Sequence, residues 1–385
     1  MVVSKSQLTV LSLISSEGYF GAENMLLTLA GSLSDLGCSY IVGVLCDSRF
    51  NHVELAEEAR RQHLTVEVVR CAGRCDWRAV SRIRALKDKH QANLVHTHGY
   101  KADFYARIAT WGEDTPLVAT CHNWPSKAWI MRAYAVLDRL VLRGFDGIVV
   151  ISDTIGDLLR RSGVRANKLR KIPNGIDTRR FRAAEPILGM EIASSGDALV
   201  GFVGRCVPDK GGAILLQAAE QVLRRFPLTK FVFVGDGPAR SEWESLAERL
   251  GIRDRVVFTG VRNDMPEVYA SLTLFVLPSL CEAMPMSVLE AMAAGRPVVA
   301  TRVGSVTRLV VQGETGLLVE AGDVDGLASA IVKLLRDPGQ AARMGLNARV
   351  RAESRFSARV MARGYFNLYR DVLQKSERLR QYAVV

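Results

Sequence analysis

The sequence has no apolar run long enough to cross a membrane. Its longest apolar stretches are the length of a β-strand, whereas a membrane-spanning helix needs about 20 apolar residues. The first residues, MVVSKSQLTVLSLISSEGYFGAE, contain one lysine and then a short apolar run alternating with Ser and Thr, which predicts a β-strand rather than a signal peptide. We therefore expect a cytoplasmic protein.

Paired metal ligands and common catalytic signatures are missing as well. The seven cysteines are scattered, and no second Cys or His pair joins Cys71 and Cys75 to complete a zinc site, so free buried thiols are expected. There is no Walker loop, no H-E-x-x-H and no G-x-S-x-G. A D-x-D occurs at Asp323 and Asp325, but EAGDVDGLASAI is typical of a loop and helix N-cap, so no metal site is predicted.

Positive charge is in excess. The formal net charge is +11; residues 1–185 carry 26 Lys and Arg against 19 Asp and Glu, and residues 186–385 carry 25 against 21. The basic clusters at 60–89 and 160–182 are either solvated helix faces or a surface that attracts anionic lipid or an anionic substrate. No helix-turn-helix, RNA-recognition or zinc-finger pattern accompanies the charge, so nucleic acid is not an expected partner.

Residues 124–143, WPSKAWIMRAYAVLDRLVLR, predict an amphipathic helix. Its apolar stripe either packs on a sheet or, with the basic residues, lies on anionic lipid. The stripe consists of Trp129, Ile130, Tyr134, Leu137 and Val141. We predict a peripheral, salt-sensitive membrane contact through the first half of the chain.

Short β-branched runs alternate with longer amphipathic stretches along the chain. Six runs, from LTVLSLI to DGIVVIS, occupy the first half, and six more, from ALVGFVGR to TGLLV, occupy the second. Such runs, apolar on both faces, are typical of parallel sheets covered by helices. We therefore predict an α/β protein with two Rossmann-like domains, at 1–182 and 195–365.

Two acids lie at the edges of the apolar stretch CEAMPMSVLEAMAAGRPVVAT. Pro285 suits the first turn of a helix, so Glu282 precedes that helix and Glu290 lies inside it. A carboxylate can bind a vicinal diol, and the free N–H groups of Met286 and Ser287 would point at a phosphate. The alternative, a capping acid and a surface acid paired with an arginine, fits the apolar setting poorly.

Cations follow another predicted strand, in GFVGRCVPDKGG. Arg205 stands at the strand's carboxyl end, Lys210 follows, and Gly211-Gly212 opens a helix. Ligands of open parallel sheets bind beyond the carboxyl ends of the strands, so two cations beside a helix N-terminus suit a diphosphate. A simple turn in which Arg205 pairs with Asp209 explains the same residues.

Histidines end two strands of the first half. VATCHNW places His122 directly after an apolar run and makes it the catalytic candidate, although a lone histidine is more often structural. His98, in LVHTHGYKAD, and Asn123 are candidates on the acceptor side, and His96 is expected to face into the sheet.

These motifs together resemble family 4 ("group 1") retaining glycosyltransferases over nearly the whole chain. The second half carries the specific block: GRCVPDKGG, FVGDGP, VVFTG, LFVLPSLCEAMPMSVLEAMAAGRPVVATRVG and GETGLLVEAGD. GAE, ATCHN, VVIS and IPNGIDTRRF are similar to landmarks of the first half. The resemblance implies the GT-B fold, with two Rossmann-like domains facing across a cleft and a final helix, 366–385, on the first domain.

The resemblance also implies residue roles. Glu282 would bind hydroxyls of the transferred sugar, and Glu290 the ribose of the nucleotide. Arg205 and Lys210 would hold the diphosphate and stabilise its charge as it leaves, and His122 would lie near the reacting sugar. Further donor contacts are implied for the amides of Gly21, Met286 and Ser287, and for Arg262 near the base.

The implied activity is transfer of a hexose from a nucleoside diphosphate sugar, UDP favoured over GDP, without metal or cofactor. The acceptor would be a hydroxyl of a glycan or lipid-linked molecule in cell-envelope or exopolysaccharide synthesis, at the inner face of the cytoplasmic membrane. A sugar-nucleotide 2-epimerase of the same fold is the alternative; a Rossmann oxidoreductase is disfavoured by the missing dinucleotide fingerprint, and a scaffold protein has no use for this charged set. The chain departs from the family at Ser305 to Arg308, where Gly-Pro-Glu is usual, and after His122.

Overall fold

The computed structural model describes residues 8–15, 21–47, 53–73, 76–122, 129–187 and 196–383, with the backbone alone for 129–135 and 378–383. The chain divides into two compact units. Unit 1 comprises Met1–Gly175 and Ala358–Val385, and unit 2 comprises Ile176–Ser357.

Unit 1 is built on a parallel sheet of seven strands in the order β3-β2-β1-β4-β5-β6-β7. The strands are β1 (Thr9–Ser15), β2 (Ser39–Asp47), β3 (Val66–Cys71), β4 (Leu94–His98), β5 (Leu117–Cys121), β6 (Gly147–Val150) and β7 (Leu169–Lys171). The strand order reverses between β1 and β4, which is where ligands bind in doubly wound sheets.

Helices cover this sheet. They are α1 (Gly21–Ser34), α2 (Glu54–Arg61), α3 (Trp77–Lys89), α4 (Tyr100–Ala109), α5 (Trp129–Leu142), α6 (Asp153–Arg161) and the final helix, α15 (Ala358–Ala383). Asp76 caps α3 and Ser152 caps α6. The final helix packs on α1 and lies so close to β6 that a Cβ at Gly147 would stand 3.1 Å from Leu368.

Unit 2 has a parallel sheet of six strands in the order β10-β9-β8-β11-β12-β13. The strands are β8 (Leu199–Val203), β9 (Lys230–Val234), β10 (Val256–Gly260), β11 (Leu274–Leu277), β12 (Val298–Thr301) and β13 (Gly316–Val319). The helices are α7 (Thr178–Arg182), α8 (Gly212–Leu223), α9 (Arg240–Arg249), α10 (Met265–Ser271), α11 (Met286–Ala293), α12 (Val306–Leu309), α13 (Val324–Arg336) and α14 (Pro338–Arg355). Phe202, Phe233 and Trp243 form an aromatic cluster in its core.

All twelve predicted strands are present. The strand that the sequence pattern missed is β7, a short edge strand whose Arg170 and Lys171 are exposed, so it lacks the apolar signature. The units divide at 175/176 and 357/358, where Ile176 bridges to Ser357, rather than where the periodicity lapses.

The structure also bears on the predicted burial of the cysteines and on the predicted lack of membrane-spanning segments. Five cysteines are buried, but Cys281 is exposed, so the expectation of buried thiols is wrong for that residue, and Cys75 lies outside the described residues. Within the part of the chain that the structure describes, no helix is long and apolar enough to cross a membrane.

Candidate active site

A glycine-dependent turn follows β8 in unit 2. Gly211 has φ +71°, and a Cβ there would stand 2.0 Å from the carbonyl oxygen of Pro278, which follows β11. The amide of Leu280 donates to the carbonyl of Asp209 at 2.8 Å. These contacts hold the turn that carries Lys210 against the loop that carries Glu282.

Lys210 and Glu282, predicted to bind different parts of a ligand, are each other's partners. Lys210 Nζ lies 2.6 Å from Glu282 Oε1, and the side chains are 25% and 7% exposed. Ser279 Oγ donates to the same oxygen at 2.7 Å, and the carbonyl of Ser279 accepts from Thr301 Oγ1 at 2.5 Å. Since both bonds to Glu282 end on Oε1, neither occupies Oε2, which can accept from a hydroxyl.

The backbone of Glu282 also needs a glycine beside it. Gly304 has φ +49°, and a Cβ would lie 1.6 Å from the carbonyl oxygen of Glu282. The amide of Ser305 donates to the carbonyl of Ala283 at 3.3 Å. The departure from the family at Ser305 thus directly follows a glycine that this close approach requires.

Glu290 lies inside α11 and is 9% exposed, so it is not the surface acid of the alternative interpretation. Tyr269 donates from its hydroxyl to Glu290 Oε2 at 2.9 Å. Burial raises the pKa of Glu290, and the Tyr269 hydrogen bond and the charge of Arg180 oppose that rise.

The predicted amide donors lie at the start of the same helix. Met286 and Ser287 form the first turn of α11, and Pro285 at its N-cap provides no side-chain cap. The N–H groups of this turn therefore have no capping acceptor, and the helix dipole favours an anion there.

The two predicted arginines differ in surroundings. Arg262 makes a bidentate pair with Asp264, at 2.8 Å from Nε to Oδ1 and 2.5 Å from Nη2 to Oδ2, and this pair lowers the pKa of Asp264. The pair occupies one edge of the guanidinium. Arg205 is exposed on the turn after β8.

In unit 1, His98 is the last residue of β4, and His122 directly follows the neighbouring strand β5. His98 Nδ1 lies 3.1 Å from His122 Nε2, and the rings stack with centroids 5.4 Å apart. Burial lowers the pKa of His122 to about 4 and that of His98 well below its ordinary value. Both rings are therefore neutral at pH 7. His98 Nε2 is buried and has no hydrogen-bond partner among the described residues.

His96 is buried, as predicted. Its Nδ1 lies 2.8 Å from the hydroxyl of Tyr369 on α15 and 3.1 Å from that of Tyr40, and its Nε2 lies 2.8 Å from Thr120 Oγ1. Gly21 begins α1 and is exposed, whereas Asn123 lies outside the described residues.

The aspartates of the D-x-D have partners within the protein. Asp323 caps α13 by accepting from the amide of Gly326 at 2.8 Å, as predicted, and Asp325 Oδ1 accepts from Gln221 Nε2 at 2.7 Å. Among the described residues no group of three or more His, Cys, Asp and Glu is arranged to hold a metal ion.

Sequence reasoning missed two supporting side chains, Ser279 and Tyr269. Ser279 had a signal, because it directly follows a strand in LFVLPS. Tyr269 had none, since helical spacing indicates only that its ring is buried.

Comparisons with known proteins agree with this architecture. Residues 20–180 match the family model Glycosyltransferase Family 4, and residues 197–337 match Glycosyl transferases group 1. The D-inositol 3-phosphate glycosyltransferase of Acidothermus cellulolyticus is 31% identical over 329 residues, which cover 77% of this chain and 70% of that protein. The UDP-Gal:alpha-D-GlcNAc-diphosphoundecaprenol alpha-1,3-galactosyltransferase of Escherichia coli is 27% identical over 278 residues, covering 68% and 71%.

A solved structure extends the likeness to the fold. Anabaena HepE in complex with UDP superimposes with a TM-score of 0.82 at 25% identity, covering 94% of this chain and 99% of that one. The relatives are named as glycosyltransferases, which does not favour the epimerase alternative. The sequence motifs, the two parallel sheets and these matches lead to one conclusion: the chain belongs to the group 1 glycosyltransferases and is a hexosyltransferase of the GT-B fold.

Proposed function

We propose that the enzyme transfers a hexose from a UDP-sugar to a hydroxyl of a glycan or lipid-linked acceptor, with retention of anomeric configuration, in cell-envelope or exopolysaccharide synthesis. The observation that carries the proposal is the Lys210–Glu282 pair beside the uncapped start of α11, with Glu290 further along that helix. A cation for phosphate, a carboxylate for a sugar and a carboxylate for a ribose are the groups that a sugar nucleotide requires.

In the proposed reaction the bond between the anomeric carbon and the β-phosphate oxygen breaks. Negative charge develops on the departing diphosphate, and Arg205, Lys210 and the first amides of α11 stabilise it. The acceptor hydroxyl forms the new bond to the anomeric carbon on the same face, and its proton passes to an oxygen of the leaving phosphate. These steps use neither a metal nor a cofactor.

Glu282 couples the two parts of the donor. Its Oε1 remains bonded to Lys210 and Ser279, while Oε2 accepts a hydroxyl of the hexose. The ion pair therefore fixes the position of the phosphate-binding ammonium relative to the sugar-binding carboxylate. A displacement of either side chain moves the other.

His122 acts as a neutral imidazole. Its Nε2 is engaged by His98, so Nδ1 is the ring nitrogen that we assign to a hydroxyl of the reacting sugar. A neutral ring can donate or accept a hydrogen bond there. His98 Nε2 is assigned to the acceptor.

The UDP preference and the lipid-linked acceptor draw on the relatives. The HepE structure contains UDP, and the Escherichia coli relative is named for a UDP-sugar and a diphosphoundecaprenol acceptor. An assay with UDP-glucose, UDP-galactose and a GDP-sugar against lipid-linked acceptors tests both assignments. Product mass identifies the donor, and the anomeric proton coupling constant distinguishes retention from inversion. Isomerised donor without acceptor would instead indicate an epimerase.

We further propose that α5 contacts the anionic cytoplasmic face of the membrane. Val136, Leu137 and Leu140 are 50%, 47% and 50% exposed, so this part of the helix is not simply packed on the sheet. The basic residues of α3 contribute less, because Lys87 and Lys89 pair with Glu113 and Glu67.

Vesicle sedimentation tests this contact. The protein should pellet with phosphatidylglycerol vesicles at low salt and be released as the Debye length falls from about 10 Å at 0.1 M to about 3 Å at 1 M. A Leu137→Ser, Leu140→Ser variant should bind less, whereas Leu228→Ser, which alters a 58% exposed leucine of unit 2, should bind as the wild type does. A wild type that stays in the supernatant at low salt would overturn the membrane contact.

A further inference from the structure

We propose that Tyr269 is a positioning residue for donor recognition: its hydroxyl holds the Glu290 carboxylate in the orientation that a ribose diol requires. This inference rests on the proposed role of Glu290. Tyr269 belongs to α10 and Glu290 to α11, so the bond also joins two helices of unit 2.

The Tyr269 ring is fixed from more than one side. It makes an edge contact with Phe181 at 5.9 Å and a tilted contact with Phe275 at 5.7 Å, and the side chain is fully buried. A ring packed in this way offers its hydroxyl in one direction, and that direction leads to Glu290 Oε2 at 2.9 Å. The contact is therefore set by the core and does not depend on a flexible side chain.

The bond from Tyr269 restricts the orientation of the Glu290 carboxylate and still leaves it positions that can accept further hydrogen bonds. A glutamate has three side-chain torsions, which an unpartnered carboxylate must fix when a ligand binds. Tyr269 uses one acceptor position on Oε2, so Oε1 and the rest of Oε2 remain for two hydroxyls. The diol then meets a group that is already oriented, which lowers the cost of binding.

The hydroxyl also favours the charged form that accepts from a diol. Burial raises the pKa of Glu290, while the hydrogen bond from Tyr269 on α10 and the charge of Arg180 on α7 lower it. Of the other elements packed on α11, β11 and β12 carry no ionisable side chain, Arg349 on α14 donates to the carbonyl of Ala294, past the helix end, and α12 carries the exposed Arg308. Burial raises the pKa of Tyr269 well above its ordinary value, so it stays a donor.

Removal of the Tyr269 hydroxyl should shift the pH dependence of UDP binding in a direction that these contributions determine. Without the hydroxyl, the pKa of Glu290 rises, because burial and Arg180 remain while one stabilising bond to the charged form is lost. Diol binding then fails at a higher pH than in the wild type, so the acid limb of the binding profile moves to higher pH.

The test is UDP binding by calorimetry, from about pH 5 to about pH 9, to the wild type, Tyr269→Phe, Glu290→Gln and the double variant. Tyr269→Phe keeps the packed ring and should weaken UDP binding about tenfold near neutral pH, with the acid limb shifted to higher pH. It should have no further effect on the Glu290→Gln background, because the hydroxyl acts through the carboxylate. 2′,3′-Dideoxy-UDP, which lacks the diol, should bind the wild type and Tyr269→Phe alike.

Tyr105→Phe is the matched control. It removes an equally buried hydroxyl, from unit 1, where Tyr105 accepts from the amide of Asp76 at 2.8 Å, and should leave UDP binding unchanged. If Glu290→Gln weakens UDP binding while Tyr269→Phe keeps the wild-type affinity and pH profile, the role of Tyr269 is wrong and that of Glu290 stands. If the wild type binds UDP and dideoxy-UDP equally, the ribose assignment of Glu290 is wrong, and the inference with it.

Discussion

The carboxyl ends of the two sheets carry different chemistry. In unit 1, His98 ends β4 and His122 directly follows β5, and both are neutral at pH 7. In unit 2, the segments after β8 and β11 bring together an ammonium and a carboxylate 2.6 Å apart. A diphosphate needs fixed charge, and a sugar or acceptor hydroxyl needs hydrogen-bond partners, so the difference agrees with the proposed ligand of each sheet edge.

The greater burial of the unit 1 side chains explains why the two sheet ends differ in charge. The histidines of unit 1 lie over a core in which α15 supplies Tyr365 and Tyr369 beside His96, and desolvation disfavours their charged forms. Lys210 keeps a quarter of its side chain exposed and has a carboxylate partner 2.6 Å away. Substitutions that change charge in unit 2 should therefore have larger effects than those that remove a neutral ring in unit 1.

The largest effect is expected from Lys210→Ala with Arg205→Ala. Each substitution removes charge at the proposed diphosphate site and should lower kcat about 10²-fold or more, as for other preorganised transition-state donors. Lys210→Ala also leaves the mostly buried Glu282 without its cation, so donor KM should rise too. Steady-state kinetics measure both changes. Lys333→Ala, an exposed lysine of α13, is the control, and wild-type turnover in the double variant would contradict the assignment.

The next largest effects on catalysis are expected from substitution of the two neutral histidines of unit 1. His122→Ala should lower kcat about 10²-fold, in the range of a lost acid–base or hydrogen-bonding group. His98→Ala should act mainly on the acceptor, raising its KM several-fold. Because the pKa of His122 is about 4, kcat should show no step near pH 6.5 that disappears in the variant. Such a step in the wild type would mean that His122 carries charge during turnover.

The same pKa values predict how unit 1 responds to acid. Burial lowers the pKa of His96 to about 3 and that of His122 to about 4, while an unfolded chain has about 6.5. Since the folded state resists protonation, this stabilising contribution is complete above about pH 6.5 and is lost as pH falls towards 4 and then 3. Asp103, whose pKa burial and Asp138 raise, acts in the opposite sense.

Histidine NMR and hydrogen exchange measure this response. The ring signals of His96 and His122 should remain those of neutral imidazole at pH 5, and the amides of β4 and β5 should lose protection as the pH is lowered further. Ring signals that titrate near pH 6.5 in the folded protein would contradict the prediction and remove the difference between the two units.

The sequence predicted the strands and the charged set better than it predicted the contacts among them. Buried parallel strands are apolar on both faces, so the sequence shows where each strand ends. Residues that follow a strand, such as Arg205 and His122, can then be identified as candidate ligand contacts from their position. The Lys210–Glu282 pair could not be predicted, because 72 residues separate the partners and their meeting depends on Gly211 and the strand order. The hydrogen bond of the Tyr269 hydroxyl could not be predicted either, because a buried tyrosine gives the same sequence pattern whether or not its hydroxyl has a partner.

The smallest expected effect is that of a chelator, and it bears on how unit 2 neutralises the diphosphate. We expect activity to survive EDTA, because Lys210, Arg205 and the start of α11 are proposed to carry the compensating charge. The aspartates of the D-x-D already have structural tasks: Asp323 caps α13 and Asp325 accepts from Gln221. Asp323→Ala and Asp325→Ala should therefore change thermal stability rather than kcat, since the first removes a helix cap, which costs about 1 kcal/mol, and the second removes the acceptor of Gln221. Activity lost in EDTA and restored by Mg²⁺ or Mn²⁺ would assign part of this charge to a metal, and the same loss in Asp323→Ala or Asp325→Ala would identify its ligands.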